Sequence, residues 1–455
     1  MRFSTLYDTA EARLLRGGKY RIPMLTFIKK QSPARIIAMG FILAILIGSV
    51  LLILPFSVRP GVHLRYIDAL YTSTSAVCVT GLIAVDAHDT FTPVGQAILA
   101  ALIQIGGLGV TAMGAGVILA VGRKVNLKGR TLIREAMNLD SGKGVVKFVK
   151  SVFLTTVSFE LVGALCSFFV FIRDYPFPQA VGISLFHSIA AFNNSGFDIL
   201  GNMQNLIPYR DNVWLNLVTA ALIIFGGIGF LVIHEVIDKR FHWKKFSMHT
   251  KVVITMSLAL TVIGTLLIRL TENITWLGAF FASVSARTAG FSTFPLSGFT
   301  NAGLLVMIAL MFIGASPGST GGGIKTTTFF VLLQGIKSAA TNKSEKAFHY
   351  AVPADAARLA AVITAIAIGI VVTGSYVMLA IEPDIRFIDA FFEVVSAFGT
   401  VGLSTGITPT LCDASKLLSI VIMYIGRLGP LTIASLWYFS RGERVRYPDG
   451  NISIG

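Results

Sequence analysis

The sequence predicts an all-α polytopic membrane protein: four parallel helix–pore loop–helix repeats around a central pore, with eight spans and both termini cytoplasmic. Three observations predict it. Hydrophobic residues make up 54% and charged residues 13% of the 455, and the mean hydropathy is +0.74, where a soluble chain carries about a quarter charged residues. Apolar stretches of roughly 20 residues, enough to cross a hydrocarbon core, recur from Ile36 to Tyr438. A short pattern ending in glycine returns four times. Together these exclude a soluble enzyme, a secreted disulfide scaffold and a disordered chain. Cys78, Cys166 and Cys412 are too scattered for a disulfide framework or a metal cluster.

The spans fall at about 34–54, 93–121, 145–172, 212–237, 250–270, 302–335, 357–381 and 415–439. Between the members of each pair lies a half-apolar segment rich in Ser, Thr, Phe and Ala, at about 66–82, 179–197, 275–291 and 387–403. A helix there reaches about half a bilayer, so a re-entrant loop fits, a short helix in and an extended strand out. Eight spans place both ends on one side. Of the 38 Lys and Arg, 28 lie on the tails and the loops sharing that side, and seven lie opposite. The tails are therefore expected in the cytoplasm, and the +15 net charge is first of all topological. The N-terminal tail is basic and reads as no cleavable signal. Arg13, Arg16, Lys19 and Arg21 suit either a helix anchored on anionic membrane lipid or a disordered tail. The organisation expected is a basic tail over 1–33, repeat one over 34–121, and repeat two with its preceding loop over 122–237. Repeat three follows over 238–335, repeat four over 336–440, and a tail over 441–455.

The repeats carry the function. The pattern runs Ser75 to Leu82 (Val77, Cys78, Val79, Thr80, Gly81), then Ala190 to Phe197 (Asn193, Asn194, Ser195, Gly196). It returns as Val284 to Phe291 (Arg287, Thr288, Ala289, Gly290) and Ser396 to Leu403 (Thr400, Val401, Gly402). A second mark, Gly106, Gly226, Gly314 and Gly426, follows those glycines by 25, 30, 24 and 24 residues. Close packing of small residues explains one such glycine, but not four in register. Non-helical backbone survives at membrane depth only against water or protein, and glycine takes positive φ freely. Four such strands give rings of carbonyl oxygens, and the short helices aim partly negative C-terminal ends at the same point. Both features favour a cation. Asn193 and Asn194 add side-chain oxygens or serve the local backbone; Cys78 has no thiol-activating neighbour.

The sixth span holds Gly314, Ala315, Ser316, Pro317, Gly318, Ser319, Thr320, Gly321, Gly322 and Gly323, a run that cannot continue a helix. Two readings apply: a loop that blocks the pore and moves, or a fixed break that serves packing. Arg427 stands where the sister repeats carry Gly107, Gly227 and Ala315. A cation at that depth is costly and usually functional; its donors suit the loop's carbonyls or the hydroxyls of Ser319 and Thr320, the alternative being a structural salt bridge. Arg287, three residues before Gly290, is expected to point behind the filter to a carboxylate such as Glu393. Asp68, Asp86, Asp89, Asp198, Asp389 and Glu393 either concentrate cations at the mouth or cap helices. Gly323-Ile324-Lys325-Thr326 matches a phosphate-binding loop only loosely and follows no strand, so this chain itself is expected to bind no nucleotide. No pairing of its seven histidines suggests a metal enzyme, and the net charge is no sign of nucleic acid. The rival is an alternating-access sodium or cation carrier, which usually shows inverted repeats.

Over about residues 34–440 these motifs resemble the Trk/Ktr/HKT superfamily of potassium transporters. Within it the chain is similar to the Ktr type, because no helix pair precedes the first repeat, the first filter position is Gly81 and no long insert is present. The resemblance implies that Gly81, Gly196, Gly290 and Gly402 are selectivity glycines holding potassium through backbone carbonyls. It also implies an intramembrane gate loop and sodium-stimulated potassium uptake at the bacterial inner membrane. The partners it implies are a second copy, in a homodimer, and a cytosolic ring of KtrA-type regulatory subunits that bind ATP or ADP.

Overall fold

The computed structural model describes residues 31–120, 127–136, 144–343, 345–430 and 432–433. Most of the basic N-terminal tail, the end of the eighth expected span and the C-terminal tail lie outside the described residues. So therefore does the expectation that both termini share one side.

Each repeat has an outer helix, a short pore helix and an inner helix. The outer helices are α1 (Pro33–Ile53), α6 (Val145–Phe171), α10 (Met248–Thr271) and α14 (Ala354–Ile381). The pore helices are α2 (Tyr66–Val77), α7 (Phe177–Phe192), α11 (Trp276–Ser285) and α15 (Phe387–Gly399). The inner helices are α3 (Pro93–Leu108), α8 (Val213–Ile228), α12 (Asn301–Phe312) and α16 (Asp413–Leu428). Beyond them lie α4 (Val110–Ala120), α5 (Leu127–Ala136), α9 (Phe230–Asp238) and α13 (Thr326–Thr341). A two-stranded hairpin pairs Lys346–Ala347 with Tyr350–Ala351.

Local chemistry starts the helices where the pattern begins. Ser32, Thr92, Ser247, Thr275 and Thr300 each cap an N-terminus through the hydroxyl, and Asn212 does so through its amide oxygen. Pro33 and Pro93 occupy first-turn positions, where no amide hydrogen is missed. The outer helices expose Leu43, Leu154, Leu161, Leu258 and Leu270, as helices solvated by lipid tails do.

Of the eight expected spans only the sixth was expected to be interrupted, and the structure interrupts the other three inner ones as well. By length and apolarity α1, α6, α10 and α14 cross a membrane unbroken. The inner element of every repeat is interrupted, and repeat three alone is interrupted by a long loop. In the other three a single glycine makes the break, Gly109, Gly229 and Gly429, at φ of 83, 93 and 87°. An L side chain rarely takes that conformation, so a glycine there ends one helix and starts another at a new angle. Between α8 and α9 the axis turns by 96°.

A further fourfold seam binds each repeat. Gly48, Gly163, Gly264 and Gly374 of the outer helices lie where a Cβ would strike the inner helix at Leu102, Leu222, Leu310 and Ile422, at 2.6–2.8 Å. In three repeats a pore-helix serine crosses at that point. Ser73, Ser188 and Ser283 donate to the carbonyls of Ile45, Glu160 and Thr261 at 2.7, 2.6 and 2.9 Å. The acceptor stands three residues before the glycine each time. The pore helices thus dock on the backbone of their outer helices, as tightly as the missing Cβ allows.

Candidate functional site

The short helices end and the chain turns back, as the glycine pattern requires. Gly81, Gly196, Gly290 and Gly402 have φ of 91, 68, 77 and 92°. They face one another in chain order. A Cβ on Gly81 would lie 3.2 Å from the Gly196 Cα, and one on Gly196 would lie 2.8 Å from the Gly290 Cα. One on Gly290 would lie 3.2 Å from the Gly402 Cα, and one on Gly402 would lie 2.8 Å from the Gly81 Cα. The four strands therefore meet around one axis, packed too closely for any side chain at these positions.

A second conformational repeat accompanies the first. Two residues before each glycine, Val79, Asn194, Thr288 and Thr400 take φ of 56, 58, 76 and 50°. Each strand thus carries two positive-φ residues separated by one other. The helix end holds the strand: Thr80, Ser195 and Val401 donate their amides to Ser75, Ala190 and Ser396 carbonyls at 2.7–2.9 Å. The Gly81 and Gly402 amides donate to the hydroxyls of Ser75 and Ser396 at 3.0 and 3.1 Å. With these N–H groups held at the helix end, they do not oppose a cation on the axis.

The second set of glycines has a clear use in three repeats. A Cβ on Gly106, Gly226 or Gly426 would strike a carbonyl at the C-terminal end of the pore helix of its own repeat, that of Val77, Phe192 or Phe398. In repeat three Gly314 packs instead against Gly322 of the following loop.

That loop closes on itself and on repeats two and four. Gly314 N–H donates to the Ile324 carbonyl at 2.8 Å. Ser316 and Thr320 amides donate to the free carbonyls of Gly227 and Gly226 at 3.0 and 3.2 Å, and Phe230 N–H, freed by the break at Gly229, donates to the Gly318 carbonyl at 3.0 Å. Ser319 Oγ donates to the Ser316 carbonyl at 2.6 Å, and Ser316 Oγ meets Thr326 Oγ1 at 2.9 Å. Gly322 N–H donates to Thr400 Oγ1 at 3.0 Å, and a Cβ on Gly321 would lie 2.8 Å from the Thr288 Cβ. The loop thus lies directly against the glycine strands of repeats three and four. Ala315, Thr320 and Gly321 to Gly323 are buried, while Pro317, Gly318 and Ser319 are half-buried.

Arg427 joins the loop to repeat one. Its Nη1 donates to the Thr320 carbonyl, and its Nη2 to the carbonyls of Gly106 and Gly107. The carbonyls, rather than the Ser319 and Thr320 hydroxyls, are its acceptors. Lys325, which follows the glycine run in the sequence, donates from Nζ to the Gly321 and Gly322 carbonyls at 2.7 and 3.4 Å. Both cations satisfy carbonyls that an unwound backbone leaves open.

Three expectations about single residues are corrected or narrowed. Arg287 does not meet Glu393. Its Nη2 donates to Thr261 Oγ1 at 3.1 Å, and Glu393 accepts from Ser404 at 2.7 Å and from Thr408. The outer helix of its own repeat is nearer to Arg287 than the next pore helix. Asn193 turns away from the axis, with Nδ2 facing Gln104 Oε1, Glu160 Oε1 and the Ile189 carbonyl at 2.8–3.0 Å. Asn194 reaches Thr288 Oγ1 at 3.2 Å and so links two strands rather than offering an oxygen to the pore. Cys78 is fully buried.

At the mouth each acid has a partner. Asp86 accepts the amides of His88, Asp89 and Met203, and Asp198 accepts that of Leu200. The His88 ring and the Asn202 N–H hold the Asp89 carboxyl below the usual carboxylate range. Asp389 pairs with Arg386. Asp68 pairs with Arg65 at 2.9 Å and with the buried Lys416 at 2.7 Å. Lys416 has no basic counterpart among Gln96, Asn216 and Leu304, and comparing those positions is the one signal that finds it.

A family model described as TrkH, cation transport protein, matches residues 25–277 and 246–439. The chain is 39% identical over 437 residues to the Ktr system potassium uptake protein B of Bacillus subtilis (strain 168), covering 93% of this chain and 97% of the relative. It is 36% identical over 445 residues to the potassium/sodium uptake protein NtpJ of Enterococcus hirae, covering 94% and 98%. Among solved structures it is similar to the potassium transporter TrkH from Vibrio parahaemolyticus, with a TM-score of 0.71 and 18% identity over 90% of this chain and 86% of that one.

Proposed function

Because the chain belongs to the TrkH family of cation transport proteins, and within it to the Ktr type, we propose that it takes up potassium along the axis of its four glycine strands. The observation that carries this reading is the closed ring of Gly81, Gly196, Gly290 and Gly402, all at positive φ and all in mutual contact. Such strands turn carbonyl oxygens to the axis, where they replace the hydration shell of a potassium ion. The names of the relatives support potassium as the cargo. Each loop has one glycine, so fewer carbonyl rings are ordered than in a longer filter, and discrimination against sodium is modest.

The loop over 314–323 is the gate, and Arg427 holds it closed. The bonds to Gly226, Gly227, Thr400 and Arg427 support this, since their loss frees the loop from repeats two and four together and, through Arg427, from its link to repeat one. Sodium stimulates the uptake; the relative named for both ions supports that part. The protein sits in the bacterial inner membrane as a homodimer, with both tails in the cytoplasm. It is governed there by a KtrA-type ring that reads ATP or ADP, as the Ktr resemblance implies.

The test is rubidium uptake into proteoliposomes, with and without sodium, for the native chain and for Gly81→Ser and Gly290→Ser. A side chain at these φ values is strained by on the order of 1–3 kcal/mol and meets neighbouring backbone. Uptake or potassium-over-sodium preference should therefore fall by on the order of tenfold, with the protein still folded by thermal melt. Unchanged affinity and preference in both variants would remove the filter assignment.

A further inference from the structure

Arg287 is the cation for which the filter and gate leave no role. It stands three residues before Gly290 and is 8% exposed. Its Nη2 donates to Thr261, its Nε is buried with no acceptor, and among the described residues no carboxylate forms an ion pair with it. Glu393 is taken by Ser404 and Thr408. The guanidinium lines a cavity of about 10 Å³ together with Ile223, Ile228, Gly227, Ser257 and Ala315. That is room for one water-sized particle as the side chains stand, so a halide, being larger than a water, seats there once the isoleucine walls give way slightly.

We propose that this cavity is a monovalent-anion site of the halide class, with the Arg287 guanidinium as its charge and the Ser257 hydroxyl as a second donor. A guanidinium stays protonated under all ordinary conditions, so at this depth it cannot shed its charge to escape desolvation. A buried charge is stable where it is both paired and hydrogen-bonded. Water satisfies an N–H but leaves the charge; a halide answers both. The isoleucine walls suit a weakly hydrated sphere, and the cavity is too small for sulfate, phosphate or a carboxylate.

Its position gives the site a consequence. One wall is Ala315, within the loop over 314–323, and another is Gly227, whose carbonyl accepts the Ser316 amide at 3.0 Å. The site thus lies between filter strand three and the point where the loop is anchored to repeat two. Without an anion, a full positive charge three residues from Gly290 repels any cation on the axis. With one bound, that repulsion is cancelled. This consequence rests on the proposed cation pathway; the binding itself does not.

Anomalous diffraction from crystals of the whole protein grown in bromide reads the binding directly. The expected result is one bromide within hydrogen-bond reach of both Arg287 and Ser257, absent in Arg287→Gln and weakened in Ser257→Ala. Ser257→Ala leaves the cation and the fold in place should Arg287→Gln fail to fold. Water alone in the cavity, or bromide that persists in Arg287→Gln, overturns the site. Rubidium uptake with chloride replaced by gluconate reads the consequence. A several-fold fall is expected in the native chain, with Ser257→Ala needing several-fold more chloride for the same rate. An equal rate in both salts overturns the effect on transport. Absence of rubidium uptake in every salt would count against the cation pathway and leave the bromide result standing.

Discussion

Val79, Asn194, Thr288 and Thr400 hold a left-handed backbone two residues before the four glycines. That conformation costs an L residue roughly 1–2 kcal/mol, most for the β-branched Val and Thr, so the surrounding packing must impose it. Thr400 offsets part of this cost, because its Oγ1 accepts the Gly322 amide at 3.0 Å and so ties the glycine strand of repeat four to the loop. Thr400→Val keeps the shape and removes the acceptor, leaving a buried N–H unpaired at a cost of about 1–3 kcal/mol. If the loop is the gate, its closed position loses that amount, and rubidium uptake without any regulatory subunit should rise about tenfold. Thr400→Ser retains the oxygen and should behave as the native chain; a Thr400→Val rate equal to native would show that the bond is no part of closure. The glycines were legible because only they repeat as an identical residue at one place in each pattern. The left-handed residues were not. Val and Thr speak for extended backbone, and nothing in a Val-Thr-Gly run says that its first member is reversed.

At the scale of elements, the sequence marks the pore helices and the loop over 314–323 well but misreads the other three inner helices as continuous. Apolar composition runs unbroken through Gly109, Gly229 and Gly429, and composition cannot sense that a lone glycine turns the chain. The seam of Gly48, Gly163, Gly264 and Gly374 was equally available in the sequence, yet outer-helix glycines look like ordinary close packing until the crossing serines are seen against them. The loop's own anchoring is of two kinds. Amide bonds to Gly226 and Gly227 stay within neighbouring backbone, whereas Arg427 reaches across from repeat four to Thr320 and on to Gly106 and Gly107. Hydrogen bonds from a charged donor contribute roughly 1.5–3 kcal/mol, so Arg427→Ala should shift the open-to-closed ratio by on the order of ten- to a hundredfold. Deleting residues 317–321 should do the same by another route. Both are read as rubidium uptake without the cytosolic ring. A gate is refuted if both variants fold, by thermal melt, and neither raises the rate; a fixed packing break predicts that outcome.

In the whole molecule four repeats must close into a ring, and three of the four junctions lie between neighbours in the chain. The fourth joins repeat four to repeat one, with no short connection to hold it, and ionic contacts are concentrated there. Lys416 on α16 meets Asp68 on α2 at 2.7 Å with both side chains buried, and Arg65 bridges Asp68 to Asp413 at 2.9 Å. The other junctions place Gln96, Asn216 and Leu304 where Lys416 stands. Gly402 and Gly81 touch across the same junction, so any spreading there opens the glycine ring itself. Removing one partner of a buried ion pair leaves a charge uncompensated, which costs about 3 kcal/mol at the low end of the usual range. Arg65 still faces Asp68, which argues for that low end. Lys416→Met should therefore lower the melting temperature in detergent and weaken potassium-over-sodium preference together, while Lys416→Met with Asp68→Asn should recover most of both. Asp413→Asn breaks a pair whose members are both more than half exposed, and exposed pairs contribute under about 1 kcal/mol, so it should change neither. If the double variant melts no higher than Lys416→Met, the pair is not what closes the ring, and the Gly402–Gly81 contact must be held by the packing of α16 against α2 alone.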